Sequence, residues 1–349
     1  MSGASRWLLG FTLSVTSLSG WAIGTPSGQT VTNTVTADFQ ISGVPQVQQS
    51  DSVSMVVDNK VNLSIGITNV TVSPSQTDRV LTFVIINQGN RTQGYALTVA
   101  NSSVADDFNM NNVRLYVESG AVAGFDPTDT LYTSGSGNNA GNLDPNSALP
   151  GADRMTVYVV ANVPPNGGGT APLDTNTARY DLLVTTLDAG TTTVTVGNNA
   201  AAWNSNIVQN VFAEGNPGPF AGDANNDGKL SATGVYSVNA PAVSMLKTAT
   251  VLDPLGGTNP VTGATITYTL SVSVTGSGAA NNVVVTDAIP ANTTYVSPSL
   301  KLNSVAQTDP ADADAGDFNI TNANSITVNL GTLTNASATQ IITFAVKIN

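Results

Sequence analysis

The sequence predicts an all-β protein built as tandem Ig-like β-sandwiches, the N-terminal one enlarged by long loops. Apolar and Thr/Ser residues alternate in segment after segment. In residues 264–274, Ile266, Tyr268, Leu270, Val272 and Val274 stand against Thr265, Thr267, Thr269, Ser271 and Ser273. A period of two in β-branched and aromatic residues gives a strand one buried face and one wet face. These runs are cut at short intervals by Gly, Asn, Asp and Pro, the residues that turns require. No stretch carries a convincing helical period; residues 200–212 come nearest to one.

Composition narrows the function. At 349 residues the chain is long enough for two or three domains. Charged residues make up 10% of it and the net charge is −12, with Lys and Arg scattered singly, so nothing neutralises a run of phosphates and no nucleic acid is expected. The chain has no cysteine and no histidine. That removes a disulfide framework, the thiol nucleophile, the commonest general base and most transition-metal ligands. A serine nucleophile would lack its usual base, and no nucleophile elbow, P-loop or dinucleotide fingerprint appears. The expectation is a protein that is not an enzyme.

Residues 1–24 read as a secretory signal peptide: Arg6 supplies the positive start, 7–15 the short apolar core, and Ala22-Ile23-Gly24 the small residues for cleavage. The apolar run falls short of the roughly 20 residues a bilayer span needs, and no later segment reaches it. The expected location is secreted, extracellular or at the cell surface.

Residues 25–197 are assigned to the N-terminal sandwich. Its first strand, 29–41, alternates with Val31, Val35, Ala37, Phe39 and Ile41 on one face and a single lapse at Asn33. Residues 51–57 and 60–72 give two further strand-like runs. Residues 80–90 then repeat the idea of 265–278: an apolar/Thr strand, an Asn/Gly turn at Asn87-Gln88-Gly89-Asn90, and a second strand at 95–99, which indicates a diverged internal repeat. Strand runs continue at 113–117, 131–132, 155–163, 180–187 and 191–196. Two Gly/Asn/Pro-rich loops, 133–151 and 164–177, are long for hairpin connections. Residues 198–240 are the richest in breakers and are taken as the linker, and 241–349 as the C-terminal domain.

In that domain, Thr267-Tyr268-Thr269-Leu270 is followed by Gly276-Ser277-Gly278, by Val283-Val284-Val285-Thr286-Asp287, by Ile289-Pro290 and by Thr294-Tyr295-Val296. It closes on Leu330-Gly331-Thr332-Leu333 and a strand over 343–348. Over 241–349 this resembles the bacterial DUF11 surface-repeat domain. The resemblance implies an Ig-like repeat at a cell surface and names no reaction.

One local motif suggests a ligand. Asp223, Asn225 and Asp227 occupy the first, third and fifth places of a loop whose sixth is Gly228 and whose seventh, Lys229, would offer its carbonyl. That is the front half of an EF-hand or dockerin-type Ca2+ loop. Gly234 stands at the twelfth place instead of a bidentate carboxylate, so the other reading is a polar turn. The acidic groups Asp309/Asp312/Asp314/Asp317 and Asp126/Asp129 read as solvated loops, with a hard cation between the carboxylates as the alternative. Lys247 stands where some surface domains place an isopeptide-forming lysine, with Asp287 as one partner; an ordinary surface lysine is the alternative.

The function expected from these readings is that of a secreted bacterial structural protein of the surface or matrix. It would associate with itself into a head-to-tail homopolymer, strand 29–41 of one molecule completing the sandwich of the next; the alternative for that strand is ordinary pairing within its own sandwich. The alternative function is a monomeric adhesin or carbohydrate-binding module using the long loops, with a surface glycan or another matrix protein as partner.

Overall fold

The computed structural model describes residues 24–120, 122–135, 138–165, 172–197, 199 and 201–349. The expected signal segment lies outside the described residues except for Gly24, and each long loop falls partly outside them. The described residues are all-β: strands from Thr30 to Ile348, and no helix among them. The stretch at 200–212 contains instead the strand Asn210–Phe212, parallel to Asn59–Val61. The pull of paired backbone on Val211 and Phe212 outweighs a faint helical period.

The N-terminal sandwich packs two five-stranded sheets. One runs Thr130–Tyr132, Asn111–Val117, Arg154–Asn162, Arg79–Asn87, Leu63–Thr68; the other Asn142–Leu143, Gln93–Asn101, Thr177–Asp188, Lys229–Val238, Val70–Val72. Alternation does what it should. Leu81, Phe83 and Ile85 point inward together, and meet Tyr95, Leu97, Leu182, Val184 and Tyr236 from the facing sheet, all fully buried. Tyr236 sets its ring edge-on to Tyr180 and donates its hydroxyl to the Val159 carbonyl at 2.7 Å, so the polar tip of a buried aromatic is satisfied.

The segment 60–72, one run by periodicity, is three short strands in three different sheets: Asn59–Val61, Leu63–Thr68 and Val70–Val72. The linker expected over 198–240 is corrected more fully. Lys229–Val238 is a strand of the second sheet, antiparallel to Thr177–Asp188 over nine residue pairs. The connection between sandwiches shrinks to Asn239, Ala240 and Pro241. Glycines misled the sequence reading here. Gly234 lies mid-strand because a Cβ there would come within 2.8 Å of Leu81 Cδ1 and Phe83 Cζ, so it marks close packing of the two sheets, not a turn.

The C-terminal sandwich sets a six-stranded sheet, in which Ala242–Leu252, Thr265–Thr275 and Gln340–Ile348 are neighbours, against the three-stranded sheet Ala279–Ala288, Ser325–Thr334, Gly316–Phe318. Its core is Leu270, Val272, Val274, Val285, Ile326, Val328, Ile342, Phe344 and Val346 with smaller additions. The two motifs compared in the sequence do share a topology. Arg79–Asn87 and Gln93–Asn101 lie in opposite sheets of one sandwich, Thr265–Thr275 and Ala279–Ala288 in opposite sheets of the other. Each Asn/Gly turn therefore crosses between layers and is not a hairpin within one.

Candidate functional site

The strand expected over 29–41 does not belong to either sandwich. Thr30–Ala37 pairs antiparallel with Gln49–Val56 over eight residue pairs, and the two form a separate two-stranded ribbon. The strand breaks at Asp38-Phe39, so Phe39 and Ile41 are not a continuation of its face. Gln40–Ile41 pairs with Val44–Pro45 around Ser42-Gly43, which form a tight turn at the tip. Directly paired residues share a face. Val31, Val35, Ala37, Val53 and Met55 thus lie on one side with Asn33, Asp51 and Gln49, while the other side is Thr and Ser throughout except Val56. Both sides are open: every residue of Thr30–Ala37, and of the partner strand from Gln49 to Met55, is exposed, Val35 to 66%.

The base of the ribbon is held firmly. Gly28 N–H donates to the Val57 carbonyl at 2.9 Å and Val57 N–H to Gln29 at 2.8 Å. Asn90, from the turn singled out in the sequence, accepts from Lys60 N–H at 2.8 Å and donates to the Asp58 carbonyl at 2.9 Å and the Thr25 carbonyl at 3.1 Å. Beside it, fully buried Asn87 donates to the carbonyls of Arg91 and Leu143 and accepts from Gly89 N–H, each at 2.9 Å. Side-chain amides that mimic backbone in this way fix a turn. Here the turn fixes the root of a projecting element.

A second uncovered surface lies in the other sandwich. In Ala242–Leu252 the residues Val243, Met245, Lys247, Ala249 and Val251 pair with Val274, Val272, Leu270, Tyr268 and Ile266. They therefore point to the core side of the sheet. Yet Val243 and Met245 stay 50% and 59% exposed, because the opposing sheet has only three strands and ends at Ala279–Ala288. Lys247 reaches across: its Nζ lies 2.8 and 2.6 Å from the two carboxylate oxygens of Asp287 and 4.5 Å from the Tyr268 ring centroid. The pair named in the sequence is thus brought together, as an ion pair between sheets.

The residues expected to bind Ca2+ share one turn but do not converge as an EF-hand set would. Asp223 Oδ2 accepts from Gly218 N–H and Ser231 Oγ–H, both at 2.7 Å. Asp227 accepts from Ala224 N–H, Lys229 N–H and Lys229 Nζ at 3.0–3.2 Å. Lys229 Nζ also donates to the Gly222 carbonyl at 3.0 Å, so an ammonium already supplies positive charge inside the turn. Asn225 is exposed. The twelfth place, Gly234, is sealed beneath Leu81 and Phe83, where no carboxylate fits. Among the described residues no group of three or more acidic side chains is arranged to hold a metal ion. Asp223, Asn225, Asp227 and Lys229 therefore share one turn whose carboxylates are engaged by backbone N–H groups, a serine hydroxyl and an ammonium.

The other acidic groups satisfy themselves locally. Asp309 accepts from Tyr295 Oη–H at 2.8 Å, Asp314 from the N–H groups of Thr308 and Gly316 at 2.7 and 3.0 Å, and Asp317 from Thr321 N–H at 2.9 Å. Those backbone donors hold the Asp314 carboxyl below the usual carboxylate range. Burial pushes the Asp129 carboxyl up, but hydrogen bonds, led by the N–H groups of Asp126 and Ser119, outweigh it and leave it lowered.

Two features escaped the sequence reading. Asp174, from a long loop, accepts from Ala240 N–H at 3.0 Å, from Ser277 N–H at 2.9 Å and from the Ser277 hydroxyl, clasping one sandwich to the turn that opens Ala279–Ala288 in the other. Glu214 is buried and takes Gly228 N–H on one oxygen at 2.6 Å, while the other has no hydrogen-bond partner among the described residues. Its burial raises the carboxyl above its ordinary value. Neither residue carries a sequence signal, since single acids in loops are common in this chain.

No helix among the described residues is long and apolar enough to cross a membrane. No protein-family model and no curated protein matches the chain. Among solved structures, a putative membrane anchored protein from Corynebacterium diphtheriae aligns over 92% of this chain and 89% of its own, with 11% identity and a TM-score of 0.18.

Proposed function

We propose that this is a non-catalytic structural protein, secreted to a bacterial surface or matrix, that associates with itself head to tail through its N-terminal ribbon. The carrying observation is the ribbon itself: an amphipathic two-stranded element, rooted by backbone hydrogen bonds, whose apolar face is left exposed by the described residues. An exposed strand edge with an apolar face is a template for pairing with another chain, and proteins that do not use such an edge blunt it. A contact between unlike surfaces of identical subunits propagates unless the rotation closes. The single-strand donation anticipated from sequence becomes donation of a two-stranded ribbon.

The test is excision of residues 30–56, replaced by a two-residue turn. Gly28, Gln29 and Val57 stay hydrogen-bonded at the cut, so the sandwiches remain closed. The intact protein is expected to form concentration-dependent oligomers by analytical ultracentrifugation and filaments by electron microscopy. The excised form is expected to stay monomeric with an unchanged melting temperature. An intact protein that is monomeric at every concentration overturns the reading.

A further inference from the structure

The self-assembly reading leaves open where the ribbon docks, and the C-terminal sandwich has a slot of matching form. The sheet containing Ala242–Leu252 extends past the edge of the three-stranded sheet that should cover it, and Val243, Met245, Ala249 and Val251 line the overhang. The Lys247–Asp287 pair sets the height of the slot, because it joins the overhanging strand to Ala279–Ala288, whose outer edge pairs with no strand among the described residues. One strand is missing from the smaller sheet.

Resting on the assembly reading above, we propose that the missing strand is the ribbon of a second copy. Thr30–Ala37 adds to the free edge of Ala279–Ala288 and lays Val31, Val35 and Ala37 over Val243, Met245, Ala249 and Val251. Its Thr-rich side then continues the wet outer face of the sheet. Charge permits this pairing, with Lys247 already matched by Asp287 at the slot. The ribbon's only charges are Asp38 and Asp51, with Asp51 on the apolar side opposite Val35, and the only charge on Ala242–Leu252 is Lys247, on the side facing the slot. Size agrees as well. Arms of eight residues at ~3.3 Å rise and ~4.8 Å spacing make a face roughly 26 by 10 Å. Covering it and one edge removes on the order of 1,000 Å² over both partners, the lower bound for a specific contact, so edge pairing has to supplement the apolar face.

Cysteine placement tests this on the full chain, which has no native cysteine. Single variants Thr30→Cys, Thr32→Cys, Thr34→Cys and Thr36→Cys are mixed under oxidation with Val284→Cys, on the outer face of Ala279–Ala288, or with Leu246→Cys, on the outer face of Ala242–Leu252. All six positions are exposed, and a disulfide needs Cα atoms within about 7 Å. The expected result is a linked dimer of Val284→Cys with at least one ribbon variant and none with Leu246→Cys. Linkage to Leu246→Cys alone, or filaments with no linkage at either position, overturns the slot and leaves assembly through the ribbon standing. Absence of any association overturns both.

Discussion

Replacing Asn87 by alanine tests whether the cross-layer turn is held by one side chain. Asn87 is fully buried and makes three hydrogen bonds, donating to Arg91 and Leu143 and accepting from Gly89. The turn cannot find an equivalent by shifting, because a Cβ on Gly89 would sit 2.2 Å from the Lys60 carbonyl and the backbone is already in contact there. Truncation leaves one N–H and two carbonyls short of a partner in a water-poor site. At about 1 kcal/mol each, the loss is about 3 kcal/mol, rising if the orphaned groups bear their full desolvation penalty. In a unit of this size that lowers Tm by roughly 6–12 °C. Scanning calorimetry and urea titration of the variant are the assays. The transition of the N-terminal sandwich is expected to move and that of the C-terminal one to stay. A loss below about 1 kcal/mol, or equal movement of both transitions, refutes the reasoning.

Three further outcomes are expected. Gly234→Ala drives a methyl against Leu81 and Phe83 and is expected to cost about 1–3 kcal/mol in urea titration; a neutral result means the sheets do not approach as closely as described. Millimolar Ca2+ and chelator are expected to give the same melting temperature, for the wild type and for Asp227→Ala alike, since Lys229 already neutralises the turn; stabilisation by Ca2+ that Asp227→Ala abolishes refutes this. Burial raises the Glu214 carboxyl, so the native state holds that proton more tightly than the unfolded chain. Its contribution is therefore best below the unfolded value and declines as pH rises from there through the folded value. Glu214→Gln is expected to flatten that decline and to gain on the order of 1 kcal/mol at neutral pH; a stability–pH profile superimposable on wild type counts against it.

The sequence made the sandwich layers legible because alternation reports burial directly. Leu81, Phe83 and Ile85, or Leu270, Val272 and Val274, could be placed on a core face without knowing their partners. What it could not report is which sheet a strand joins. Val70–Val72 and Leu63–Thr68 are separated by one residue and lie in opposite sheets, a choice made by long-range pairing. Glycine cost the most: Gly234 and the Gly-rich stretch before it looked like punctuation, yet the glycine was there to let two sheets touch. The ribbon's apolar residues were visible, but the break at Asp38-Phe39 that parts Phe39 and Ile41 from their face was not. Alternation signals a face that wants covering, and gives no assurance that the cover comes from the same molecule. In the Asp/Asn loop the spacing of oxygen atoms was legible, while the Lys229 ammonium folded back onto Asp227 and the Gly222 carbonyl was not.

The clasp at Asp174 has a mechanical consequence. A three-residue tether alone would let two rigid bodies swivel, but Asp174 pins Ala240 on one side and Ser277 on the other, two residues before the start of Ala279–Ala288. Tension passing from one sandwich to the other would thus be shared between the three-residue connection and the hydrogen bonds of Asp174. The Ser277 hydroxyl first, then Ala240 N–H, hold the Asp174 carboxyl below the usual carboxylate range, so the clasp survives mild acid and slackens only as pH falls through that lowered value. Torsional stiffness in any chain of these subunits would be set by one carboxylate.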